Sequence, residues 1–212
     1  MAKKKYIQLP RGYISYTQVA LWKSNPTRYK EIYFNDRKNN VMNDFIAYGK
    51  DYADALEQES ETGDLLTDAS ILILKKYDVR DKEIVAEIKT KDGWIRLLGK
   101  PDTLNSKTFE FREYKTGKNP WTQSKCDKHF QLPFYGVLVY LKYGVFLKDC
   151  YLDWIQTEKV AVDSVFLDVD HKVQPTGMIR SFRVELGTRK ILETVAEIIK
   201  VAKEIELAYA AH

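Results

Sequence analysis

Residues 82–117 read KEIVAEIKTKDGWIRLLGKPDTLNSKTFEFREYKTG, a β-branched and aromatic run interrupted twice, at Lys91-Asp92-Gly93 and at Asn105-Ser106-Lys107. Side chains of this kind suit a pleated, half-buried surface, and the interruptions are turn chemistry, so the run predicts three strands joined by tight turns. A chain carrying this run in its middle must build a sheet there and cover it with whatever lies on either side.

What lies on either side is mostly helical. In SYTQVALWKS, Ser15 and Gln18 form a capping box, which predicts a helix from Tyr16. In NPTRYKEIYF, Asn25 is the cap of a second helix with Pro26 at its first position. The polar NDRKNN (35–40) reads as a loop, and NDFIAYGKDYADALEQES then sets Phe45, Tyr48, Tyr52, Ala55 and Leu56 at helical spacing. Gly49 inside that pattern costs about 1 kcal/mol relative to Ala, which points to a close approach at that position. DLLTDASILILKKY reads as a further helix and CDKHFQLPFYGVLVYLKYG as another, whereas CYLDWIQT, VDSVFLDVD and IRSFRVEL read as strands. Thr188 is the expected cap of a last helix, which carries Ile191, Leu192, Val195, Ile198, Ile199, Ala202 and Ile205. This order predicts an α/β fold with a central sheet covered by helices. No repeat, low-complexity tract or linker divides the chain, so a single domain over 1–212 is expected, with helices at about 15–76 and the sheet core and C-terminal helix at about 82–210.

Composition narrows the function classes. The 212 residues are 44% apolar and 30% charged, with a net charge of +4, which permits nucleic acid as a partner without requiring it. Two distant cysteines, Cys126 and Cys150, cannot build a four-cysteine metal or iron–sulfur site and are expected as reduced thiols. No apolar run reaches membrane-spanning length, and MAKKK leads into YIQLPRGYISY rather than an apolar signal core, so a cytoplasmic protein without membrane contact is expected. Lys3, Lys4 and Lys5 read as a frayed terminus. GWIRLLGKPD has the wrong glycine spacing, and the wrong residue after its lysine, for a phosphate-binding P-loop.

The chemistry concentrates in REYKTG. Residues two apart on a strand share a face, so Glu113 and Lys115 stand side by side while Tyr114 faces the other way. An acid-x-Lys pair alone recurs by chance in so charged a chain, and as an exposed pair it contributes at most about 1 kcal/mol. Its neighbours make it informative. Asp102 follows Pro101, which cannot donate a ladder hydrogen bond and so bends or ends pairing there. A straight hairpin about Asn105-Ser106 would set Asp102 opposite roughly residue 109, so convergence with Glu113 requires that bend. Gln131 and Tyr135 share a helix face if the helix spans both, and Glu57 at the end of the GKDYADALE helix offers a third carboxylate.

In order along the chain, ISYTQVALWKSNPTRYKEIYF, YGKDYADALE, LGKPDTL, REYKTG and QLPFY resemble five motifs of the RecB-like branch of the PD-(D/E)XK, or restriction-endonuclease-like, nucleases. The resemblance implies a three-layer α/β/α fold with a central mixed sheet flanked by helices, and a metal-dependent deoxyribonuclease, an exonuclease of phage or bacterial recombination. It implies that Asp102 and Glu113 hold Mg²⁺ (or Mn²⁺) through hard oxygen ligands, with Glu57 contributing directly or through water. Lys115 would orient or help deprotonate the attacking water, and Gln131 and Tyr135 would position the strand or the lysine. DNA is the implied partner, with a recombination protein as a further one; oligomeric state stays open.

Departures from the family pattern are also visible. Ala53 stands where many relatives have a histidine, so the metal site loses that ligand or relies on Glu57 and Asp54 instead. Asn25 stands where the iron–sulfur relatives have a cysteine, so no cluster is expected. Pro133 inside the Q-x-x-x-Y span predicts a late start or a kink. Lys118, Lys125 and Lys128, with Trp121 among them, either track a DNA backbone or form a solvated loop, and His129, His171 and His212 have no partner spacing. Two rivals remain open: a silent module on the same fold that binds nucleic acid or a partner, and a nuclease acting on RNA.

Overall fold

The structure, a computed structural model, describes residues 4–37, 43–80, 83–162 and 170–212. Lys3, part of the loop expected at 35–40, Lys82 and most of the strand expected at 162–170 lie outside the described residues.

Helices α1 (Tyr16–Ser24) and α2 (Pro26–Tyr33) begin where their caps predict. Ser15 accepts from the Gln18 amide at 3.4 Å and Asn25 from the Arg28 amide at 2.9 Å. The second half of the capping box does not form: Gln18 is buried and its side-chain oxygen accepts from the Tyr29 hydroxyl at 2.9 Å, which ties α1 to α2. Helix α3 (Asp44–Gln58) starts at the Asn43 cap and α4 (Leu65–Ile73) at the Asp64 cap. The latter stops short of Lys75–Tyr77, and the chain turns into a two-residue strand, β1 (Val79–Arg80).

Strands β2 (Ile84–Lys89), β3 (Trp94–Gly99), β4 (Thr103–Leu104) and β5 (Phe111–Gly117) then follow. The expected single run of three strands is divided in two at Pro101. β2 and β3 pair as a separate two-stranded sheet, while β4 and β5 enter a five-stranded sheet of order β1-β4-β5-β6-β7, completed by β6 (Asp149–Val162) and β7 (Asp170–Glu185). The N-terminal segment is not frayed from Lys4 onward. Lys4 pairs with Glu87 at 2.6 Å, the Lys5 carbonyl accepts from the Trp94 amide at 2.9 Å, and Tyr6 and Ile14 bridge β3 in parallel.

The second expected tight turn is also different. Residues 105–110 form a wider loop, closed by bonds from the Asn105 amide to the Glu110 carbonyl and from the Phe109 amide to the Asn105 carbonyl, both 2.8 Å, with Phe109 in the left-handed region. That loop sets Thr103 against Arg112 and Leu104 against Phe111. One step further in the same register stands Asp102 across from Glu113. Convergence of the two acids follows from loop length together with a bend at Asp102, which lies just beyond the paired residues.

β5 runs parallel to β6, and such a pair needs a crossover. The crossover is α5 (Gln123–Asp127) and α6 (Gln131–Tyr143), two helices where the sequence reads as one. Pro133 falls in the first turn of α6, where its missing N–H breaks no helical bond. The last helix, α7 (Thr188–Ala210), has Gly187 rather than Thr188 at its cap position, with no side-chain cap.

The layers follow from the alternation of side chains along β5 and β6. Phe111, Leu152 and Trp154 join Leu132, Phe134 and Val137 of α6 and Ile191 and Ile198 of α7 in the main core. The opposite face carries Tyr114 and Ile155 into a smaller core with Tyr52 and Leu56 of α3 and Ile71 of α4. The result is a mixed sheet flanked by helices on both faces, the restriction-endonuclease-like arrangement. On the smaller-core face, Arg112 Nη1 donates to both oxygens of Asp153 at 2.8 and 2.7 Å, a buried ion pair that clamps β5 to β6.

Gly99 ends β3 against α6: a Cβ there would collide with Leu138 Cδ1 and stand 2.9 Å from Tyr135 Cε1. Overpacking of a filled core costs about 1–3 kcal/mol. Urea titration of Gly99→Ala should show a loss of that size in the wild type and a smaller one in a Leu138→Ala background; the same loss in both backgrounds would contradict the packing described.

Candidate active site

Five of the six residues singled out in the sequence come together where the end of β3, the start of β4, the middle of β5 and the first turn of α6 meet. Glu113 is buried, about 3% exposed. Its Oε1 accepts from Lys115 Nζ at 2.6 Å and from Gln131 Nε2. Gln131 Nε2 also lies 2.9 Å from the Tyr135 hydroxyl, which in turn donates to the Lys100 carbonyl at 3.1 Å. The late start of α6 sets this chain: Gln131 is its first residue and Tyr135 lies one turn on. Asp102 Oδ2 accepts from the Tyr114 amide at 2.6 Å, so the acid is held by the backbone of the strand that carries Glu113.

The electrostatics reflect a half-buried acid, Asp102, beside a buried one, Glu113. Burial, and then the Glu113 charge, push the Asp102 carboxyl well above the ordinary carboxylate range. Burial pulls Lys115 down, but the charges of Glu113 and Asp102 outweigh it and the ammonium ends above its usual value. Burial raises the Tyr135 hydroxyl, which stays protonated.

Asp102, Glu113 and Lys115 line a cavity of about 610 Å³ whose far wall is α3. Gly49 is what lets α3 approach, as the sequence suggests: a Cβ there would stand 2.9 Å from Thr116 Oγ1 on β5. Glu57 opens onto the same cavity but stands apart from the two acids, its Oε1 3.9 Å from Lys100 Nζ. Among the described residues, no three His, Cys, Asp or Glu side chains gather as a metal-binding cluster. What the site offers a divalent cation is a pair of carboxylates in which Glu113 Oε2 is buried without a hydrogen-bond partner. An unpaired buried carboxylate oxygen is costly, and a hard cation satisfies it. Mg²⁺ is held through one or two carboxylates together with water and substrate phosphate, so the pair fits that ion without a third acid.

Two residues near the site carry no motif signal. His129 packs edge-on against Trp121 at 5.0 Å and lies 3.3 Å from the Tyr16 hydroxyl. Burial, helped by the Lys115 and Lys125 cations, lowers His129 to about 4, so it is neutral at physiological pH. The fields of Lys115 and Glu113 reach Tyr16. Trp121 is half-buried beneath Lys125, whose Nζ sits 4.1 Å from its ring centre, and is no open stacking surface. Cys126 and Cys150 are free and buried in the main core.

The family description "PD-(D/E)XK nuclease superfamily" matches residues 15–202 of the chain. No curated protein matches it. Among solved structures, one titled "Crystal structure of SSO0001" aligns at 15% identity over 95% of this chain and 79% of that one, with a TM-score of 0.43, a likeness too loose to carry an inference.

Because the Asp102 carboxyl is raised, its contribution to stability is fully present below the unfolded value and is lost as pH rises through the folded one. The metal-free protein should therefore lose thermal stability between about pH 4 and 8. Asp102→Asn keeps the acceptor for the Tyr114 amide and removes that loss. Melting curves across this range test it; equal slopes for both proteins would contradict the electrostatic reading.

Proposed function

The chain belongs to the PD-(D/E)XK nuclease superfamily, matched from residue 15 to 202, and from that premise we propose a metal-dependent deoxyribonuclease of the RecB-like branch, lacking an iron–sulfur cluster and acting as an exonuclease in phage or bacterial recombination. The observation that carries the catalytic part is the unpartnered Oε2 of Glu113 beside Asp102, with Lys115 bonded to the same carboxylate. The branch and the recombination setting rest on the order of the five motifs. A cytoplasmic setting and a recombination partner protein belong to the same proposal; among the described residues no helix is long and apolar enough to cross a membrane.

Asp102 and Glu113 would hold Mg²⁺ or Mn²⁺, which supplies Lewis acidity at the scissile phosphate. The remaining work falls to the chain. Tyr135, fixed on the Lys100 carbonyl, holds Gln131, and Gln131 fixes Glu113 Oε1, so the free oxygen of that carboxylate has one orientation. Lys115 stays charged, which suits it to offset charge developing on the phosphate and to orient the attacking water through its ammonium hydrogens. Glu57, on the cavity wall, would reach the cation through water.

Two observations favour a second reading. Ala53 stands in the position of the family histidine and no third ligand joins the two acids among the described residues. A silent module that binds nucleic acid or a partner would tolerate both.

The test is Mg²⁺-dependent digestion of linear DNA. Lys115→Ala should lower the rate about 100-fold or more, the cost of removing a preorganised charge stabiliser, while leaving the protein folded by melting temperature. Equal rates for variant and wild type would remove Lys115 from the chemistry. DNA binding without turnover in Mg²⁺, Mn²⁺ and Co²⁺ would favour the silent module.

A further inference from the structure

Helix α4 has its faces reversed. An amphipathic helix lays its apolar stripe on the core and turns its polar face to water. In α4, Thr67, Ser70 and Ile71 face inward, while Leu65, Leu66, Leu72 and Ile73 are 86%, 47%, 79% and 70% exposed. The inward face is polar because α3 requires it: the Tyr48 hydroxyl lies 3.1 Å from Thr67 Oγ1 and the Tyr52 hydroxyl 2.9 Å from Ser70 Oγ. Rotating α4 to bury its leucines would strand both tyrosine hydroxyls, and unpaired polar groups at a packed face are costly.

The exposed side chains form one stripe, with the exposed Ala69 on its midline. Single exposed leucines are ordinary, but a contiguous apolar patch marks a contact surface. The layout of this one selects its occupant. Turned antiparallel about a two-fold axis at Ala69, the stripe meets itself with Leu65 against Ile73, Leu66 against Leu72 and Ala69 against Ala69, and the small residue at the crossing lets the two helix axes approach. The ends are complementary in the same arrangement. Glu61 precedes the helix, Asp64 caps it and Asp68 stands in its first turn, whereas Lys75 and Lys76 follow its last residue. Neither lysine forms an ion pair among the described residues. Antiparallel packing brings each basic end to the acidic end of the other copy and opposes the two helix dipoles; parallel packing would set like charges together.

We propose that α4 is a self-association surface: two copies of the chain pair through α4, antiparallel, across a two-fold axis at Ala69. The contact is small for a permanent interface, so the dimer is a micromolar one. None of the side chains in the stripe lines the cavity of the two acids, so assembly and the proposed chemistry are tested separately.

The experiment is sedimentation velocity at low salt, over a protein concentration series that runs from low to high micromolar. The proteins are wild type, Ala69→Glu, Leu72→Gln, Glu61→Lys, Lys76→Glu and the double reversal Glu61→Lys with Lys76→Glu, each checked by melting temperature. Wild type should pass from one chain to two as concentration rises. Ala69→Glu sets two like charges face to face across the axis and should raise the dimer Kd about 100-fold or more. Leu72→Gln removes an apolar contact twice, by symmetry, and should raise it about 10-fold or more. Each single charge reversal should weaken the dimer a few-fold, and the double reversal should restore it. A monomer at every concentration overturns the proposal, as does a dimer indifferent to Ala69→Glu and Leu72→Gln. A double reversal no tighter than its single changes overturns the antiparallel arrangement. A monomer that instead floats with phosphatidylcholine vesicles, and loses them in Leu72→Gln, assigns the stripe to a lipid surface and overturns self-association.

Discussion

Burying Glu113 beside Asp102 puts two acids into one low-dielectric place, and much of the surrounding fold answers that arrangement. Lys115 supplies the opposite charge, Gln131 and Tyr135 supply neutral hydrogen bonds, and the Tyr114 amide holds Asp102. Even so one oxygen of Glu113 has no partner and the Asp102 carboxyl is raised. A fold selected for stability alone would replace such a pair with apolar side chains at little cost or a gain. Local conflict of this kind, inside an otherwise consistent core, is the mark of a site built to hold something.

The backbone brings the acids together through register. The 105–110 loop sets β4 against β5 so that Asp102 comes opposite Glu113, and β6, clamped to β5 by the buried Arg112–Asp153 pair, keeps that strand from slipping. A one-residue slip would take Glu113 away from Gln131 on α6 and put Tyr114 in its place. On the other side, Gly49 decides how near α3 comes, and with it the width of the cavity. Catalytic geometry and cavity shape thus depend on features with no chemistry of their own: a loop length, a buried ion pair and a missing Cβ.

The sequence made the starts of α1 and α2, the alternation in β5 and the close approach at Gly49 legible, because each has a local signature in capping chemistry, period two or a glycine in a helix. The five-motif order was also legible, and with it the family. The loop at 105–110 was not, since Asn105-Ser106 looks like a tight turn and only pairing partners far along the chain show that it is wider. The division into two sheets was half-visible in Pro101. The place of Glu57, near the cavity but apart from the acids, depends on how far α3 stands from β5, a tertiary distance that no local pattern encodes. Tyr16 and His129 likewise approach the site only through the packing of α1 and α5 around it.

The central claim, that Asp102 and Glu113 form one cation site, is most directly tested by crystals grown with Mn²⁺ and measured for anomalous scattering. A single strong peak bonded to carboxylate oxygens of both residues, with Lys115 still beside it, is the expected result. A peak bonded elsewhere, or none at saturating Mn²⁺ while the two carboxylates remain bonded only to protein groups, would contradict it.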